Sequence, residues 1–341
     1  MKNFIFVLIC AVLCIMCVGC EVIKNEDLNN NNEIIKDEDI TPSSCYKREG
    51  DLIYFGYYPQ TIASQEEIKN LSSTIDKNGF YISNVDGSKY IKYKTKSFSY
   101  IDTLNFSNGE KVERNKEFYF KCEPIVWKII NEKNNCATIA TVNLLDCHSF
   151  IAEENVIRED AVINNEETSV WFNIKNNVPE GVYANSWEYS DLREWLNFDF
   201  KNYFTKEEQS ILQLSELDNS SSSLEYFSLY PWVKQNNTQD YFYIFSFEDV
   251  VNNKLGFDEN SNIKDKNRSL KVTDYAKARG ALPSFKYEEF FNGNGLWLLR
   301  SPGIYSSYTS GVNSDGSVEK THSFITDDNR CVCVVTQIKL S

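Results

Sequence analysis

The chain has 341 residues, a formal net charge of −14 and a sequence pI near 4.8. That acidity excludes a phosphate-backbone partner, which needs a basic patch, so no nucleic acid is expected. Hydrophobic residues make up 42% and aromatics 14%, which allows a sizeable core and excludes disorder over most of the length.

In chain order, residues 1–20, MKNFIFVLICAVLCIMCVGC, come first. Lys2 precedes an apolar run from Phe4 to Val18 that is short for a bilayer span and reads as a signal peptide. Its end, Cys17-Val18-Gly19-Cys20, resembles the lipobox of bacterial lipoproteins. Gly19 supplies the small residue before the cut, and Cys20 would be the lipidated first residue. Cys17 departs from the pattern, which usually has Leu there. The alternatives are a plain secretory signal and an uncleaved anchor. Acyl chains such as palmitate on Cys20 would hold the domain on the extracytoplasmic side of a bacterial membrane without a transmembrane helix. Residues 21–44 are polar, acidic and Asn-rich, and read as a disordered tether.

Residues 45–341 form the expected globular domain. Its six cysteines are Cys45, Cys122, Cys136, Cys147, Cys331 and Cys333. They permit disulfides in an exported chain, but their spacing lacks the paired C-x-x-C of a zinc ribbon. Cys331 and Cys333 alternate along a strand, so they share a face and are poorly placed to bond each other. Buried free thiols are the preferred reading over a metal site.

Tyr54 to Gln60 reads as a short strand stopped by Pro59. Residues 62–116 read as an insertion bearing a hairpin, with an Asp86-Gly87 turn signal. YFKCEPIVWKII and CATIATVNLL read as a hairpin around the polar Asn131 to Asn135, with Ile125, Trp127 and Ile129 on one face. Residues 152–184 read as irregular surface.

Ser190 is placed to cap a helix whose stripe is Leu192, Trp195 and Leu196. Thr205 and Glu208 have capping-box spacing. DNSSSS, from Asp218, reads as a loop. A strand from Tyr241 to Phe245 leads into a helix capped by Ser246, and Thr273 to Gly280 reads as a short helix ending at a glycine. Three C-terminal strands follow, with Asp315-Gly316 as a two-residue turn between two of them. The last strand is apolar on both faces, which suits a central position. The pattern predicts an α+β fold, mainly antiparallel.

In GLWLLRSPG, residues 295–303, Leu296, Leu298 and Arg300 share one strand face and Trp297 and Leu299 the other. Pro302-Gly303 fits the centre of a type II turn. Arg300 either snorkels out of the strand end or pairs with a carboxylate that pins the turn. The following loop, GIYSSYTSG, is rich in Tyr, Ser, Thr and Gly, the composition of adaptable binding loops. The candidate ligand-binding residues are therefore Tyr305, Tyr308, Trp297 and Arg300, for a glycan or protein ligand; an ordinary surface loop is the alternative.

FGYYPQ, EPIVWKII, LLDCHSF, WEYSDLREWLN, FTKEEQSIL, IFSFEDV, TDYAKARGA and GLWLLRSPG occur here in an order that resembles a bacterial domain-of-unknown-function family, the one numbered 6273. The resemblance runs from about Tyr54 to Leu340. Members of that family often end in a Gly-Val-Arg-Pro strand, where this chain has Asn329-Arg330-Cys331-Val332. The family is common in exported proteins and implies no activity. Its tail is similar to formylglycine-generating-enzyme-type and C-type-lectin-like domains, which also finish with a Trp-bearing strand, a loop and an Arg near the last strand. The implied finer fold is C-type-lectin-like.

Chemistry-bearing motifs are sparse. The two histidines, His148 and His322, form no H-E-x-x-H, and there is no G-x-S-x-G, P-loop or dinucleotide fingerprint, so no cofactor is expected. His148 beside Cys147 reads as structural, because strand neighbours point to opposite faces. Glu188, Asp191 and Glu194 cluster at a helix start, where they suit the helix dipole. The expectation is a membrane-anchored lipoprotein with a binding or structural domain. The alternative is an enzyme acting on cell-envelope glycans or exported proteins.

Overall fold

The computed structural model describes residues 45–163, 166–220, 235–284 and 293–341. The leader with Cys20, the tether, and the Ser-rich loop beyond residue 220 lie outside the described residues. No helix among the described residues is long and apolar enough to cross a membrane.

β1 (Lys47–Glu49) and β2 (Leu52–Ile62) open the domain as a hairpin. Pro59 does not stop β2. β1 reaches only to Tyr54, so β2 has a free side at Pro59, and a register shift before Thr61 absorbs the missing N–H. α1 (Gln65–Lys69) starts at a Ser64–Glu67 capping box. β3 (Tyr81–Ile82) and β4 (Lys89–Lys94) turn back through Asp86-Gly87, and β4 pairs with β5 (Glu117–Lys133). β5 meets β6 (Cys136–Thr141) across Asn134 and Asn135, both left-handed at φ 52° and 59°. The turn is thus two residues long and of the primed kind that matches strand twist, and β5 runs through Asn131 to Lys133.

Short strands β7 (Asn143–Leu144) and β8 (Asp146–Cys147) follow. The segment expected to be irregular contains a regular antiparallel hairpin, β9 (Val156–Ile163) and β10 (Glu166–Asn173). Most of β9 faces solvent, so its acids hide the alternation, whereas β10 buries Val170 and Trp171.

The helical middle forms where caps and apolar spacing coincide. α2 (Asp191–Asn197) is capped by Ser190 and buries Leu192 and Leu196. α3 (Lys206–Ser210) starts at the Thr205–Glu208 capping box and gives way to β11 (Leu212–Gln213) and β12 (Ser215–Leu217). β13 (Thr238–Asp240) and β14 (Phe242–Tyr243) lead into α4 (Phe247–Val250), capped by Ser246. After β15 (Lys271–Val272), Thr273 caps α5 (Asp274–Arg279), which Gly280 ends at φ +114°.

β16 (Trp297–Pro302), β17 (Tyr308–Val312), β18 (Val318–Phe324), β19 (Cys331–Val332) and β20 (Val335–Lys339) complete the chain. The β17–β18 connection is longer than the two-residue turn expected: Asn313 donates to the Ser317 carbonyl at 2.8 Å, and Asp315-Gly316 is its tip. The predicted last strand divides in two, since Val334 leaves the β19 line to bond Thr141.

Among the described residues, nine strands make the larger sheet, with main path β1-β2-β5-β6-β20-β11. β20 pairs with β6 on one side and with β11 and β14 on the other, and Val335 and Ile338 are both buried. The smaller sheet runs β18-β17-β16-β19-β8. Its β16–β19 pair and the β7–β15 pair are parallel, against an otherwise antiparallel pattern. The fold is α+β, mainly antiparallel with a few short helices. Trp127, Trp187 and Trp297 anchor the core, each indole N–H bonded: to the Phe55 carbonyl, the Asp240 carboxylate and the Arg268 carbonyl.

Candidate functional site

β16 is a central strand of the smaller sheet, so its polar end must find partners inside the fold. Arg300 is 7% exposed. Its guanidinium donates to the Ile244 carbonyl at 2.9 Å and to the Asp249 carboxylate at 2.7 Å. The same Asp249 oxygen accepts the Ser246 backbone N–H at 2.8 Å, so one carboxylate closes the α4 cap and clamps the end of β16. Of the two readings open for Arg300, the structure shows the carboxylate pair. Trp297, 1% exposed and bonded through its indole N–H, is a core residue. Neither side chain lies with the exposed tyrosine of the loop, and the sequence reading that placed them in one ligand surface is corrected here: a central strand turns both inward.

Gly303 does not adopt the left-handed conformation of a type II turn. Its role is close approach, because a Cβ there would lie 2.7 Å from the Lys320 carbonyl oxygen and 2.8 Å from the Tyr308 Cβ. The loop it begins is bolted down. Ser306 and Ser307 are buried; the Ser306 hydroxyl accepts the Trp171 N–H at 2.8 Å, and the Ser307 carbonyl accepts the Ile325 N–H at 3.1 Å. The buried Asn185 amide donates to the carbonyls of Tyr305 and Tyr308, both at 3.1 Å. The serines are therefore structural, and the tyrosine rings are what the loop displays.

Those rings open a surface row. Tyr305, 43% exposed, lies 6.2 Å from Tyr308, and Tyr308 lies 4.3 Å from Phe324, itself 43% exposed. Phe324 stacks on Trp171 at 6.1 Å, and the Arg158 guanidinium caps the Trp171 ring at 4.1 Å. Sequence reasoning finds the two tyrosines from loop composition. It misses Trp171, Phe324 and Arg158, which come from β10, β18 and β9: Arg158 meets Trp171 and Tyr308 meets Phe324 across strand pairs, and Phe324 meets Trp171 across two separate sheets. An aromatic residue in an otherwise acidic segment, Trp171, is the signal that was available.

A groove of about 640 Å³ lies along α2. Tyr189, Phe198 and Tyr241 supply rings, and Glu188, Arg193, Glu194, Lys201 and Asp240 supply charge. Arg193 donates to the buried Asp240 at 2.6 Å, and Asp240 also accepts the Trp187 indole N–H at 3.1 Å. Lys201 sits 3.6 Å from the Tyr241 ring centroid; burial, and then the Lys206 cation, lower its pKa. The acid trio at the helix start is spent on structure. Glu188 holds Asn236, Asp191 accepts the Ala152 N–H at 2.7 Å, and Lys175 bridges Asp191 and Glu194 at 2.5 and 2.8 Å.

His148 stacks on Trp195 at 5.1 Å, and its Nδ1 lies 2.7 Å from the Ser149 carbonyl oxygen. Burial lowers its pKa. The neighbouring Cys147 thiol faces Cys331 and the Ala276 carbonyl, so the two form no nucleophile–base pair with each other. Among the described residues, no group of three or more His, Cys, Asp or Glu side chains is placed to hold a metal ion.

No curated protein and no solved structure matches the chain. A family model does match residues 150–336, which include α2, the groove walls and the aromatic row; FGYYPQ, EPIVWKII and most of LLDCHSF lie before that span. The chain belongs to the family described as Domain of unknown function (DUF6273).

Proposed function

We propose that this chain is a bacterial lipoprotein, tethered through Cys20 and residues 21–44, whose exported domain is a glycan-binding module. The observation that carries the reading is the row Tyr305–Tyr308–Phe324–Trp171. Tyr305 and Phe324 are exposed with Tyr308 between them, Trp171 is buried behind Phe324, and hydrogen bonds to the loop backbone hold this platform rigid, so binding costs little ordering of the protein. Sugar rings present C–H faces that stack on aromatics and hydroxyls that bond planar polar groups. Arg158 at one end of the row supplies such a group, and the net charge of −14 disfavours an anionic polymer.

The finer fold reading, C-type-lectin-like, belongs to this proposal. It is supported by the Trp-bearing β16, the displayed loop after it, and Arg330 just before β19. Fold likeness alone would not imply a ligand.

Co-sedimentation of the full-length chain with purified bacterial cell-wall polysaccharide tests binding. Wild type should be retained, and Tyr305→Ala/Tyr308→Ala should be retained at least tenfold more weakly with unchanged circular dichroism. Failure of wild type to sediment, or equal retention of the two, sinks the proposal. The anchor is tested separately by metabolic labelling with a radioactive fatty acid: Cys20→Ala should lose the label, and equal labelling refutes lipidation.

A further inference from the structure

β8 and β19 are adjacent antiparallel strands at the edge of the smaller sheet, with Cys147 opposite Cys331 and Asp146 opposite Val332. The His148 N–H donates to the Arg330 carbonyl at 3.0 Å. His148 and Arg330 are thus a hydrogen-bonded pair, and Cys147 and Cys331, one step along, are a non-hydrogen-bonded pair. Such pairs bring their Cα atoms to about 4.5 Å, inside the roughly 4.4–6.8 Å that a disulfide spans. The two sulfur atoms already lie 3.5 Å apart. The other thiols have different company: Cys333 points at the Thr141 carbonyl at 3.8 Å, and Cys45 at the Glu207 carbonyl at 3.5 Å.

We infer that Cys147 and Cys331 form a cross-strand disulfide when the chain folds in an oxidising compartment. Both S–H bonds break and one S–S bond forms. The two protons and the electron pair pass to one disulfide of a thiol–disulfide exchange oxidant, whose S–S bond breaks to give two thiols. Burial pushes the Cys147 thiol pKa up, and both side chains are out of solvent once folded. A thiolate forms poorly there, so the exchange takes place before β19 docks on β8 rather than on the finished fold. The bond closes a span of 184 residues. That span contains α2, the groove and the aromatic row, so the staple fixes the base of the sheet that displays the loop. The inference rests on strand register and stands whether or not the ligand proposal holds.

The full-length chain is refolded with oxidised glutathione, remaining thiols are alkylated, and the linkage is mapped by mass spectrometry. Cleavage before Asp146 separates Cys147 from Cys136. The expected result is a peptide pair joined through Cys147 and Cys331, lighter by two hydrogens than the reduced pair. It should persist in Cys333→Ala and be lost in Cys331→Ala. Oxidised wild type should melt at least about 5 °C above the reduced form, given the long loop closed. Alkylated Cys147 and Cys331 after oxidative refolding, or Cys147 joined to another cysteine, overturns the inference on wild type alone, even if the variants fail to fold.

Discussion

Arg300 and Arg268 are both buried cations, held by different means. Arg300 shares Asp249 with the α4 cap. Arg268 is fully buried and donates to five carbonyls, those of Gly316, Val250, Asp258, Asn260 and Ile263, with Asp265 3.5 Å away. Removing it takes a charged donor from all five acceptors, so Arg268→Met should cost roughly 3–5 kcal/mol in urea unfolding. Arg300→Met leaves Asp249 partly open to water and still bonded to Ser246, and should cost about 1–3 kcal/mol. The reverse order would contradict this account of how the two loops are held.

His148 makes a signed pH prediction. Its folded pKa lies below the ordinary 6.5 because burial disfavours the charged ring. Above 6.5 the ring is neutral in both states and contributes no slope. As pH falls below 6.5 the unfolded chain takes up a proton that the fold resists, so stability declines toward the folded pKa. His148→Phe keeps a ring on Trp195 and should flatten part of the decline between pH 7 and 5. An unchanged difference between wild type and variant across that range would argue against a depressed pKa.

Among the secondary-structure elements, local signals were legible and distant pairings were not. The caps at Ser190, Thr205, Ser246 and Thr273 are read from three or four neighbouring residues, and each sits at a helix start. Gly280 ends α5 where a side chain would meet both a positive φ and the Phe98 ring. Gly280→Ala should therefore lose at least about 1–3 kcal/mol; a neutral effect on thermal unfolding would contradict that geometry. The β9–β10 hairpin was hidden because β9 is mostly exposed, so its apolar and charged residues, Arg158-Glu159-Asp160 among them, do not alternate. The division of the last apolar run into β19 and β20 was hidden because both halves are buried, and no polar residue marks the crossing. Trp297 shows the limit for the site: its alternation along β16 was readable, but whether its face met solvent depended on Phe245 and Arg268, which pack against the indole from elsewhere in the chain.

Among the described residues, one continuous C-terminal segment, Cys331 to Lys339, joins the nine-stranded sheet to the five-stranded one. The larger sheet is the scaffold. Around the smaller sheet Arg300, Ser306 and Ser307 are buried, while the rings of Tyr305 and Phe324 remain exposed. Because Ser306 and Asn185 fix the loop through its backbone neighbours, truncating the rings should leave the fold standing. Phe324→Ala should weaken ligand retention with less than about 1.5 kcal/mol lost from stability, since that ring is only partly buried. The most direct test is cell-wall co-sedimentation of wild type beside Tyr305→Ala/Tyr308→Ala, both checked for the same unfolding midpoint. The account predicts retention of wild type and at least a tenfold loss in the variant. Equal retention, or none by wild type, would contradict it.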